Sequence, residues 1–267
     1  MNQPLAYIHP NAKIAENVVI GHFSVIEDNV TIGEGTWIGP NVTIMEGTVI
    51  GKNCKIFPGA VIAGIPQDLK FQGEKTIVKI GDNTTIREFV TINKGTIAKG
   101  KTVIGSNCLL MAYVHIAHDC VVGDNVILVN GVTLAGEVTI EDWAIISANT
   151  LIHQFCRIGA HTMFAGNSLV DKDVPPFIKV ARYPISYAGI NSVGLRRRGF
   201  SNEIIDNIND TYRIIFNSGM NKTDAITLLE TQIYSTKEKT EIIQFVKNSK
   251  RGILKGYFDK LSENDIT

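Results

Sequence analysis

An aliphatic side chain returns every six residues along most of this chain. The series runs through Ile8, Ile14, Ile20, Ile26, Ile32, Ile38, Ile44, Ile50, Ile56 and Ile62, resumes at Ile80, Ile86 and Ile92, and continues from Ile104 to Val170. Of these 25 positions, 24 are Ile, Leu or Val, and the remaining one is Phe164. The residue four places later is small throughout, as at Ala12, Val18, Ser24, Thr36, Ala60, Val114, Ala144 and Ser168. A period of six matches neither the 3.6 of a helix nor the 2 of a plain strand. It matches a triangular prism with one short strand and one turn per hexad, eighteen residues to the coil, a known solenoid class. Large aliphatic residues fill the prism and small ones fit beside them. Coils stack at about 4.8 Å, so roughly nine of them make a column on the order of 40 Å long. Glycine often follows the aliphatic residue (Gly21, Gly33, Gly51, Gly105, Gly123), where its tolerance of unusual backbone angles would suit a corner.

The repeat lapses twice. Residues 63–79 are polar, with Pro66 and Gly73 as breakers, and residues 93–103 interrupt it again. Both read as loops thrown out from the column, where function tends to sit. After Val170 the register stops in a proline-punctuated connection, and three helical signals follow, over about 201–217, 223–232 and 236–250. The expected architecture is therefore an all-β parallel β-helix over 1–190 and a small C-terminal α-helical domain over 191–267. The 267 residues suffice for a sizeable core. A formal net charge of zero argues against nonspecific nucleic-acid binding. The start MNQPLAYIHP lacks the pattern of a secretory signal, and no stretch of eighteen uncharged apolar residues predicts a membrane span. Cys54, Cys108, Cys120 and Cys156 form no CxxC pair, and all fall on the small inward position. They read as reduced, space-filling thiols and point to a cytoplasmic location.

Positions eighteen apart stack on one face. His118, Gly136 and Gln154 therefore share a vertical line, His153 lies on the line beside it, and His115 lies close by. A histidine beside Asp119, with a glycine amide one coil away, is an acid–base constellation. Imidazole can take a proton from a hydroxyl near neutral pH, and an exposed N–H can stabilise the oxyanion formed when a thioester is attacked. His118 is the candidate base, Asp119 its orienter and Gly136 the oxyanion donor. His9, His22 and His161 read as surface decoration.

The motifs IHPNA, QDLK (67–70), IREFVTI (86–92), HIAHDC (115–120), LAG (134–136), HQFC (153–156), DVPP (173–176) and GLRRRGF (194–200) resemble the UDP-N-acetylglucosamine O-acyltransferases of the hexapeptide-repeat superfamily. The resemblance spans nearly the whole chain and implies a left-handed coil. It implies transfer of an (R)-3-hydroxyacyl group from acyl carrier protein to the 3-hydroxyl of UDP-N-acetylglucosamine, the first step of lipid A synthesis. No cofactor is implied beyond the carrier's own phosphopantetheine, and no metal. The family's homotrimer places active sites in clefts between columns. The resemblance also carries His118 as base, Gly136 as oxyanion amide, and Asp68, Lys70, His115, His153, Gln154, Asn191, Arg197 and Arg198 as substrate-lining residues. Gly166 matches a position that limits acyl length by side-chain bulk. Glu137, Asn93, Pro184 and Val193 depart from familiar members, which carry histidine at the first three positions and an acidic residue at the last.

Three rival readings share the solenoid. The sister N-acyltransferase carries an extra N-terminal domain, whereas here the hexads begin at Ile8. A zinc-dependent carbonic anhydrase would use three histidines such as His115, His118 and His153, but gives the QDLK segment and the helical tail no role. A noncatalytic solenoid gives the histidine–glycine–glutamine column no purpose.

Overall fold

The computed structural model describes residues 5–231 and 236–256. Short strands, mostly of two residues, succeed one another round a triangular coil, and every third strand pairs in parallel with its predecessor. Tyr7–Ile8 pairs with Val25–Ile26, and that strand pairs with Thr43–Ile44. Among the described residues the three faces hold nine, eight and ten strands, the last including an added hairpin. The fold is the left-handed parallel β-helix expected, followed by a small helical region. Its core is the hexad itself: Ile20, Ile26, Ile38, Ile44, Ile56 and Ile62 have no exposed surface.

The small position is mostly buried too, and several of its polar side chains bond across coils, while Thr48, Thr150 and Ser168 bond to the carbonyl three residues back. The Ser24 hydroxyl donates to the Gly39 carbonyl at 2.7 Å, and Thr36 to Gly51 at 3.0 Å. Cysteine uses the same bond, from Cys108 Sγ to the Gly123 carbonyl and from Cys120 Sγ to the Ala135 carbonyl. All four thiols are free and buried. Burial pushes Cys108 and Cys156 up to about 11 and Cys120 up to about 12, so they stay protonated and inert.

The corner glycines serve a different end from the one expected. Gly21, Gly33, Gly51, Gly105 and Gly123 do not have positive φ. A Cβ on Gly21 would sit 2.5 Å from Pro40 N, and one on Gly105 2.4 Å from the Gly123 carbonyl oxygen. They are small because the next coil's backbone passes there. The left-handed residue lies two places further on, at Asn17, Asn29, Asn41, Asn53, Asn83, Asn107 and Asn125. Asparagine tolerates that region best after glycine.

Both interruptions of the repeat leave its register intact. Val61 pairs with Thr91, thirty residues on, and Thr91 with His115, twenty-four on, so each insertion is a multiple of six. The connection after Val170 is more ordered than its prolines suggest. Ile178–Ala181 adds in parallel to Met163–Phe164, and Ser186–Ile190 returns antiparallel to it. A short helix missed in the sequence, α1 (Ser192–Arg197), follows. The three expected helices are α2 (Asn202–Asn217), α3 (Lys222–Thr231) and α4 (Lys237–Lys247). The side chains of Ser201 and Thr236 cap α2 and α4. The expected end of the second helix at Gln232 lies outside the described residues. The tail is tied to the coil: the Tyr212 hydroxyl donates to the Pro176 carbonyl at 2.6 Å, and Ser249 Oγ to Asp173 Oδ2 at 2.7 Å. Among the described residues no helix is long and apolar enough to cross a membrane.

Candidate active site

The strand His115–Ile116 ends at a corner, and His118 and Asp119 make that corner. Asp119 has φ +60°, and its backbone N–H donates to Thr102 Oγ1 at 2.9 Å. This conformation turns its carboxylate back under His118, whose Nδ1 lies 2.9 Å from Asp119 Oδ2. The carboxylate has no exposed surface. It also accepts from the Thr96 backbone N–H at 3.0 and 3.1 Å and from the Thr96 hydroxyl at 2.6 Å. A carboxylate surrounded by donors accepts from Nδ1–H as well, which leaves the lone pair on Nε2.

Nε2 faces Gly136. The glycine sits one coil on, where Glu137 N–H donates to the His118 carbonyl and Phe155 N–H to the Gly136 carbonyl. The backbone thus stacks His118, Gly136 and Gln154 in the order the spacing requires. A Cβ at Gly136 would lie 2.6 Å from His118 Nε2, so only glycine leaves room for the imidazole. Among the described residues no protein acceptor takes the Gly136 N–H. Base and free amide therefore lie side by side on one edge of the prism, with His118 half-buried.

The second interruption of the repeat is part of this site, which the sequence alone did not show. Thr96 comes from it, and so does Lys99, whose Nζ donates to the Asp119 carbonyl at 3.3 Å and pairs with Glu137 at 3.7 Å. Glu137, a departure from familiar members, has φ +62° and points back at this loop. Asn93, another departure, is buried and donates to the Ile65 carbonyl at 3.0 Å, so it fastens the first excursion to the second. The signal for Thr96 was present as a threonine in a loop, but nothing in the periodicity paired it with position 119.

Other predicted residues occupy different places. His115 is half-buried on the outer face, 2.7 Å from Thr91 Oγ1, and burial holds its imidazole below the ordinary histidine range. His153 and Gln154 are exposed, with His153 Nδ1 3.1 Å from the Gln154 carbonyl. In the first excursion, Asp68 Oδ1 accepts from the Lys70 N–H in a tight turn. Gly166 stacks over Ala148, on the corner line of Asn149 and Asn167 rather than on that of His118. Asn191 is buried, and its amide is spent on the fold: Oδ1 caps α1 at Gly194 and Nδ2 donates to the His161 carbonyl. Arg197 is exposed.

Arg198, at the end of α1, packs against the third corner line, that of Trp143 and His161. Its guanidinium covers the Trp143 ring at 5.2 Å and donates to the Trp143 carbonyl at 3.2 Å. His161, expected to be decoration, is instead stacked between Trp143 and Phe177, with Phe200 edge-on. Burial first, and then Arg198, lower its imidazole to about 4. It is therefore neutral, and Nδ1 accepts from Arg198 Nη1 at 3.4 Å. Within one chain, then, the dyad, Gly166 and Arg198 lie on three different edges of the prism. Among the described residues no three His, Cys, Asp or Glu side chains form a group that could hold a metal ion.

Comparison with known proteins gives the family. Residues 173–254 match the family described as Udp N-acetylglucosamine O-acyltransferase, domain 2, and residues 29–64 and 101–136 match the bacterial transferase hexapeptide repeat. The acyl-[acyl-carrier-protein]–UDP-N-acetylglucosamine O-acyltransferase of Thiobacillus denitrificans is 47% identical over 94% of this chain and 98% of its own. A solved UDP-N-acetylglucosamine acyltransferase from Bacteroides fragilis superposes with a TM-score of 0.94 at 54% identity, covering 96% of this chain and all of its own. The Francisella novicida enzyme gives 0.94 at 42% identity, over 97% of this chain and 95% of its own. With a match of this extent running through coil and tail alike, the chain is an acyltransferase and belongs to the UDP-N-acetylglucosamine O-acyltransferase family.

Proposed function

We propose that this enzyme transfers an (R)-3-hydroxyacyl group from acyl carrier protein to the 3-hydroxyl of UDP-N-acetylglucosamine, opening lipid A synthesis. The observation that carries the mechanism is the His118–Asp119 pair with Nε2 set against the free amide of Gly136. Nε2 takes the proton of the sugar hydroxyl, and the oxygen attacks the thioester carbonyl. The Gly136 N–H donates to the oxyanion so formed. Collapse forms the ester and expels the phosphopantetheine thiolate, which takes the proton back from the imidazolium. Asp119 holds the imidazole in the tautomer this requires and stabilises its charged form. The phosphopantetheine belongs to the carrier, and no other cofactor enters.

Asp68, Lys70, His115, His153, Gln154 and Arg197 line the substrate sites in this reading, with Gly166 at the end of the acyl groove; Asn191, carried with them by the resemblance, instead holds the start of α1 in place. Arg198 suits a diphosphate, since guanidinium pairs well with phosphate oxygens. These groups lie on separate edges of one prism, so a site that uses them all needs neighbouring columns, which favours the homotrimer. The coil over 1–190 carries the chemistry, the segment over 191–267 contributes Arg197 and Arg198, and the enzyme works in the cytoplasm.

Acyl transfer from 3-hydroxyacyl carrier proteins of several chain lengths to UDP-N-acetylglucosamine tests this. Wild type forms product with a preferred length, and His118→Ala loses about 10² to 10⁴ in kcat, the usual contribution of a general base. Absence of product at every length overturns the substrate assignment.

A further inference from the structure

The Asp119 carboxylate is fully buried, and its environment comes almost entirely from the loop between Asn93 and Lys101. Thr96 gives it both a backbone and a hydroxyl donor. The direction of the hydroxyl is not free, because Thr96 Oγ1 also accepts from the Ala98 N–H at 3.2 Å. Its proton is thereby committed to Asp119 Oδ2, the oxygen that faces His118 Nδ1. Thr102, where the chain rejoins the coil, holds the Asp119 backbone, and Lys99 holds its carbonyl. The Lys99–Glu137 pair then fastens the loop to the coil that carries Gly136. Every polar group of Asp119, main chain and side chain, is thus engaged by this segment or by His118.

We propose that Thr96 is a positioning residue for the base, and that residues 94–100 form a strap whose task is to hold Asp119 dry and oriented beneath His118. The proposal rests on the reading of His118 as the base, and deepens it. Hydrogen bonds to a charged group are among the stronger ones, and in a site shielded from water they set geometry as well as energy. With the strap fastened, the imidazole keeps its proton on Nδ1 and offers Nε2 to the acceptor. Without the hydroxyl, the carboxylate loses the donor that fixes Oδ2, and water reaches the Nδ1–H.

The test compares Thr96→Val, which keeps the shape and the backbone N–H, with Thr96→Ser, which keeps the hydroxyl. Two readouts are taken on the full-length enzyme. One is kcat and KM for acyl transfer. The other is the proton resonance of the His118 Nδ1–H in ¹⁵N-histidine-labelled enzyme, assigned by its loss in His118→Ala. In wild type this proton is downfield and protected from exchange. Thr96→Val lowers kcat about tenfold with KM for both substrates little changed, and exposes the Nδ1–H to exchange; Thr96→Ser restores both. If Thr96→Val proves too unstable, Thr96→Ala serves the same comparison. A Thr96→Val enzyme with wild-type kcat and a protected Nδ1–H overturns the proposal, as does a fall in kcat with the resonance unchanged. Loss of protection in Thr96→Val alongside a wild type that transfers no acyl group supports the strap and sinks the reaction assigned to it.

Discussion

At residue 136 the choice of side chain is decided by another residue's ring. A Cβ there would meet His118 Nε2 and Cε1 at 2.6 and 2.7 Å, and the imidazole cannot retreat without leaving Asp119. Gly136→Ala should therefore fold normally, since the position is a corner and its φ is not left-handed. It should lose about 10²-fold or more in kcat, comparable to removing an oxyanion donor. Thermal melting beside steady-state kinetics checks this, and a variant with near-normal kcat would mean that Nε2 is not the reacting atom. His161 teaches the converse. Its neighbours in sequence mark it as one more corner residue, yet three aromatic rings and a guanidinium enclose it. No local pattern reveals this, because Trp143, Phe177 and Arg198 come from two coils and the start of the tail.

At the scale of the element, each hexad is a strand pair, a buried aliphatic residue, a small residue and one left-handed corner. Where that corner is Asn125 at φ +58°, replacement by alanine puts a Cβ into a conformation that disfavours it, at a cost of about 1 kcal/mol. Asn125→Gly avoids the clash, so the melting temperatures should rank glycine above alanine; the reverse order would show that the asparagine side chain, and not the backbone, matters. Corners other than asparagine adopt the same conformation on every edge, Asp119, Glu137 and Phe155 on the chemistry-bearing one and Tyr113, Trp143 and His161 on the others. The insertions follow the element's arithmetic too: because they add multiples of six, strands on both sides keep their pairing, and loops grow from the coil without breaking its core.

At the scale of the molecule, coil and tail meet across a cleft of about 380 Å³ lined by Val121, Thr139, Glu141, Asp142, Ala160 and Glu241 of α4. Arg157 spans the contact, lying over the Phe245 ring at 4.4 Å and donating to Glu141 at 3.3 Å. Burial first, and then Glu141, raise Glu241 to about 7, well above an unfolded glutamate. The folded protein thus prefers the protonated acid. Stability from this group is fully present below the unfolded value of about 4 and is lost as pH rises through about 7. Glu241→Gln should melt higher than wild type above pH 7, with the advantage fading towards pH 4; a constant difference across that range would remove the carboxylate as its cause. The sequence by itself determined the solenoid, its register and the stacking of His118 on Gly136, because a six-residue period with one inward residue per strand admits a single way to bury its side chains. Helices α2, α3 and α4 were legible from local pattern as well, whereas the short α1 was not. Only the tertiary structure decided that Thr96 and Lys99 close over Asp119, that Asn191 is spent capping a helix, and that His161 carries Arg198. Those contacts join segments out of step with the repeat, where spacing along the chain says nothing about distance in space.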